Sequence, residues 1–104
     1  MFSKRDIAEI DTEYFSVLST NAFQVTIKSN CTGHEWHILS RQDQVHGRTI
    51  QTCIIYHRHN QRVGFHLHGQ ASNLAEAIRL IQEHDAYQLN KGGSDRGKGR
   101  KTNQ

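Results

Sequence analysis

The chain has no stretch approaching the ~18 consecutive apolar residues that a membrane span requires. Its N-terminus, Met1-Phe2-Ser3-Lys4-Arg5-Asp6, also lacks the apolar run of a secretory leader. Both absences point away from a membrane partner and toward a cytoplasmic location. Cysteine is scarce: Cys31 and Cys53 have neither a CxxC spacing nor the density of a disulfide scaffold, so both read as reduced thiols, Cys53 within an apolar run that suits a core. Signatures of catalysis are missing too. No GxSxG or supported Cys-His arrangement is present, and Gly92, Gly93, Gly97 and Gly99 fall after the last predicted helix, where they cannot cradle a phosphate at a helix start. The expectation is therefore a non-catalytic protein without a cofactor. There is no internal repeat, and 104 residues suffice for one hydrophobic core and not two.

The net charge of +3 invites a nucleic-acid reading until the charges are located. Residues 91–104 hold five basic groups and one acid, a net +4, whereas residues 1–90 hold eight basic groups against nine acids, a net −1. The basicity belongs to the tail. That tail is Gly, Ser, Lys and Arg without apolar periodicity and cannot offset the entropy of ordering itself. The predicted organisation is a single domain over 1–90 and a disordered basic tail over 91–104.

Within the domain, Ser3 with Asp6 three residues on makes a capping box in which Asp stands for the usual Glu or Gln, and Phe2 and Ile7 take the positions of a hydrophobic staple. Ile7, Ile10, Tyr14 and Val17 or Leu18 recur at helical spacing, which predicts a helix from about Lys4 to about Val17, although Tyr14 to Leu18 also suits a strand. Strict alternation from Ala22 to Lys28 puts Phe23, Val25 and Ile27 on one side of a strand. Ser29 to Gly33 is turn chemistry, and Glu35 to Arg41 forms the second strand. A polar loop from Arg41 to Arg48 leads to a long strand, Thr49 to His59, and a turn at Asn60 to Gly64 leads to a short one, Phe65 to His68. Asn73 with Glu76 caps a last helix that ends near Gln88.

The predicted fold class is α+β, in the order α-β-β-β-β-α, with an antiparallel sheet and both helices packed on one face over Phe23, Trp36, Ile54, Phe65, Ile78 and Ile81. Tyr56 also reads as core. This layout is similar to double-stranded-RNA-binding domains, to antitoxin modules of the HicB kind and to the arm-binding domains of some integrases. The resemblance is one of topology: the segment Ser72-Asn73-Leu74-Ala75-Glu76-Ala77 has no lysine and so departs from a GKxxKxxAK-like helix start. Analogy of fold does not transfer function.

Eight histidines stand out, six of them paired: His34 with His37, His57 with His59, His66 with His68. Residues two apart in a strand share a face. An even connection between the last two strands therefore gathers His57, His59, His66 and His68 on one surface, opposite Phe65 and Leu67. Such a patch is a weak candidate for zinc, nickel or copper, because no Cys, Asp or Glu joins it at a standard ligand spacing. The reading preferred from the sequence is a nucleic-acid-binding accessory module. Lys28, Arg41, Arg58, Arg62 and the four imidazoles would act on an open sheet face, with Arg96, Lys98, Arg100 and Lys101 as a non-specific arm toward RNA or DNA. The alternatives are a protein-interaction module using the sheet edge or histidine face and, behind it, a histidine-dependent ribonuclease or a metal-binding protein.

Overall fold

The capping box forms as the sequence predicts. Asp6 N donates to Ser3 Oγ at 3.0 Å and Ser3 N donates to Asp6 Oδ2 at 2.9 Å, starting helix α1 at Lys4–Ala8. The helix then stops well short of Val17. Asp11 Oδ1 accepts from the backbone N–H of Glu13 and Tyr14, a local turn that competes with helical bonding, and Phe15–Thr20 becomes strand β1. The sheet consequently has five strands where four were expected. The computed structural model describes residues 1–96, with backbone alone from residue 91 onward.

Strands β2 (Gln24–Ser29), β3 (Glu35–Val45), β4 (Arg48–Arg58) and β5 (His66–Ala71) follow, and all five pair antiparallel in sequence order. The stretch 41–48, expected to be a loop, instead extends β3 and β4 to a two-residue turn at His46-Gly47, both with positive φ (50° and 77°). Positive φ at both central residues matches the right-handed twist of the flanking strands, as in type I′ hairpins. The ribbon is solvated on both sides and so carries no hydrophobic alternation for a sequence pattern to register.

Alternation along the strands separates two faces. Val25 and Ile27 of β2, Trp36 and Ile38 of β3, and Cys53 and Ile55 of β4 point to one side and are fully buried. They form one cluster with Phe2, Ile10 and Phe15 and with Leu74, Ala77 and Ile81 of helix α2, Leu74–Arg96. The expected core needs correction at three positions. Ile54 is buried as expected, though on the face away from the main cluster, where Tyr56 and Phe65 are only half-buried, and Phe23 is 61% exposed because Asn21 Oδ1 accepts from its N–H in the β1–β2 turn and breaks the alternation. Helix α2 is capped by Asn73, whose Oδ1 accepts from Glu76 N at 2.8 Å, and it runs past Gln88 to Arg96. The rest of the basic tail, 97–104, lies outside the described residues. Among those described, no helix is long and apolar enough to cross a membrane.

Candidate metal centre

Eight residues separate the cross-strand partners His57 and His66, an even connection, so at this end of the pair odd positions of β4 share a face with even positions of β5, until a register shift between Ile55 and Tyr56 pairs Ile55 with Gly69 and Cys53 with Ala71. His57, His59, His66 and His68 accordingly gather on one side, while Leu67, paired with Tyr56, faces the other. That side is the one α2 covers, not the open surface expected from the sequence. His57 is only 2% exposed and its ring lies 4.2 Å from that of Trp36, its cross-strand neighbour.

Two further histidines complete the group. His34 enters from the β2–β3 turn, which Gly33 closes at φ 77° by donating its N–H to Ser29 O; the Thr32 hydroxyl then accepts from His34 N at 3.2 Å. His84 descends from α2, with ring centroids 4.9 Å from His68 and 5.2 Å from His57. Sequence spacing could not bring these two in, because one lies on a turn and the other on a helix.

The ring nitrogens form a chain. His59 Nδ1 lies 3.4 Å from His34 Nε2, His34 Nδ1 lies 3.0 Å from His57 Nε2, and His57 Nδ1 lies 3.4 Å from His66 Nε2. One nitrogen from each of His34, His57 and His59 falls within 4.8 Å of the others. Zinc–nitrogen bonds of about 2.0–2.1 Å place tetrahedral ligand atoms roughly 3.3–3.4 Å apart, so nitrogens within 4.8 Å of one another would have to draw closer to share one ion.

Burial of the cluster disfavours protons on its rings. Burial first, then the neighbouring imidazoles His34, His59, His84 and His66, lower His57 from 6.5 to about 3. His34 and His68 are also pushed down, again chiefly by burial; Asp85 opposes the shift at His34. His34, His57 and His68 are therefore held neutral, the ligating form. Asp85 is fully buried beside them. It accepts from Tyr14 Oη at 2.8 Å and Thr32 Oγ1 at 3.2 Å, and among the described residues no Lys or Arg pairs with it. Burial, the Cys31 contact and the Asp85 carboxylate raise the Tyr14 phenol above its ordinary value, so it stays a donor. His84 Nε2 is buried without a hydrogen-bond partner among the described residues.

The basic residues predicted to join the imidazoles are elsewhere. Lys28, Arg41 and Arg58 lie on the opposite face of the sheet and Arg62 in the β4–β5 loop. Arg58 is bound to the buried Glu35 at 2.8 Å and Arg41 to Asp43 at 3.0 Å. Arg96 ends α2, and Lys98, Arg100 and Lys101 fall outside the described residues. A single surface uniting cations and imidazoles does not form, because strand parity separates them. The chain is matched by no protein-family model, no curated protein and no solved structure.

Proposed function

We propose that this protein binds a divalent first-row transition metal, of the zinc, copper or nickel class, through His34, His57 and His59, with His66 next in reach as a fourth ligand. The observation carrying this reading is the convergence of three imidazole nitrogens within 4.8 Å around a buried, neutral His57. An all-nitrogen donor set discriminates against magnesium and calcium, which take oxygen ligands. The buried Asp85 carboxyl group accepts hydrogen bonds from Tyr14 and Thr32, and these fix the turn that delivers His34. Equilibrium dialysis of the full chain against zinc, nickel, copper, magnesium and calcium tests the proposal. One equivalent of a transition metal retained, and lost in the surface variant His59→Ala, is expected. Equal retention by wild type and His59→Ala, or none by either, overturns it.

A further inference from the structure

The face of the sheet away from α2 is uncovered, and its charge is one-sided. Strand parity puts Lys28, Arg41, Arg48 and Arg58 there, and Arg62 joins Lys28, Glu35 and Asn60 around a groove at one end. Against these five cations stand two acids, Glu35 and Asp43, each already bound to an arginine. Lys28, Arg48 and Arg62 take part in no salt bridge among the described residues. The acids of the domain lie on the other side: α1, the segment after it and α2 up to residue 90 hold seven, against three basic groups. A domain with net −1 over residues 1–90 thus presents a face of net +3.

Between the cations lie flat and apolar groups. Tyr56 is half-buried with His37 at 6.4 Å, Leu67 beside it is 62% exposed, and Phe65 lies beneath the Arg58 guanidinium at 4.4 Å. The basic rows at Arg58 and at Arg41, which faces Thr52, are six residues apart along β4, roughly 20 Å at the rise of a strand. Half-buried Tyr56 and buried Ile54 fill the rows between.

We propose that this open face binds single-stranded nucleic acid, with bases stacking on Tyr56 and its neighbours and phosphates meeting Lys28, Arg62 and Arg48. Unstacked bases reward an aromatic and apolar platform, whereas a duplex keeps its base faces buried. A second copy of the chain is a poor occupant, because two faces of net +3 repel each other. The proposal involves no residue of the histidine cluster, so its failure and that of the metal reading are separately visible.

The test is fluorescence anisotropy of a labelled oligouridylate of about 12 nucleotides against the full chain, over roughly 50 to 200 mM salt. Circular dichroism checks that each variant is folded. Lys28→Glu/Arg62→Glu is expected to bind at least about tenfold more weakly, with the log–log salt slope reduced by about 1.4, or ~0.7 for each phosphate that is no longer neutralised. Tyr56→Leu should lose about fivefold or more while Tyr56→Phe, which keeps the π face, retains affinity. Zinc retention should be unchanged in all of them. The proposal is overturned if the sheet variants bind as wild type and only Lys98→Glu/Arg100→Glu/Lys101→Glu abolishes binding. It is equally overturned if the face proves to be a dimer contact, shown by a sedimenting dimer that Tyr56→Leu dissociates.

Discussion

Acidification of the metal-free protein should destabilise it at pH values above those at which its carboxylates titrate. The unfolded chain protonates each histidine near 6.5, while native His57 holds out to about 3, with His34, His37 and His68 also shifted down. The stability contributed by these neutral imidazoles is complete above pH ~6.5. It is lost as pH falls toward the folded values, because the unfolded state takes up protons that the native state refuses. Each such proton costs at most ~1.4 kcal/mol per pH unit. For His57 alone, moving from pH 6.5 to 4.5 costs at most about 2.7 kcal/mol. Solvent reaching the rim of the cluster past exposed His59 and His66 screens this to roughly half. Against a total stability of about 5–15 kcal/mol for a domain, that is roughly a tenth to a quarter. Urea unfolding in the presence of a chelator, followed through the fluorescence of Trp36, reads it directly at pH 7.5, 6.0, 5.0 and 4.5. His57→Leu should flatten the dependence by close to one proton. A midpoint that stays constant from pH 7.5 to 5.0, or a His57→Leu protein with an unaltered slope, would refute the reasoning.

Tyr14→Phe removes the shorter of the two hydrogen bonds held by buried Asp85 and should destabilise the domain by about 1–3 kcal/mol. Thermal melting measures that cost, and weaker zinc retention in the same variant would show that the Asp85 network positions His34. Gly47→Ala forces a side chain onto φ 77° at the tip of the β3–β4 ribbon. Nothing crowds the site, so the cost is the backbone term alone, about 1–2 kcal/mol by urea titration, with metal retention unaffected.

Much of the fold could be read from residue pattern because local chemistry and tertiary packing agree there. The Ser3–Asp6 box, the Asn73 cap, the alternation of Val25 and Ile27 and the long β4 are all present as predicted. The misses come from tertiary context. Tyr14 to Leu18 fits either period, and only pairing of Phe15 with Ser29 and Val17 with Ile27 decides for a strand. Tyr56 and Phe65 look like core by composition but fall half-buried on the face away from α2, where Ile54 alone of that group is buried. For the histidines, the even connection between His57 and His66 was sufficient to place four of them together. What strand parity could not give was the side on which they gather. That depends on where α2 packs, and it turns an expected polar outer surface into a half-buried pocket that also admits His34 and His84.

Zinc titration of nitrogen-15-labelled protein, observed through the imidazole ring nitrogens, tests the central claim most directly. One nitrogen each of His34, His57 and His59 is expected to shift in concert and saturate at one equivalent, while His37 on the opposite face and His46 at the hairpin tip do not respond. Shifts that follow exposure alone, led by His46, or no saturation at one equivalent, would contradict it.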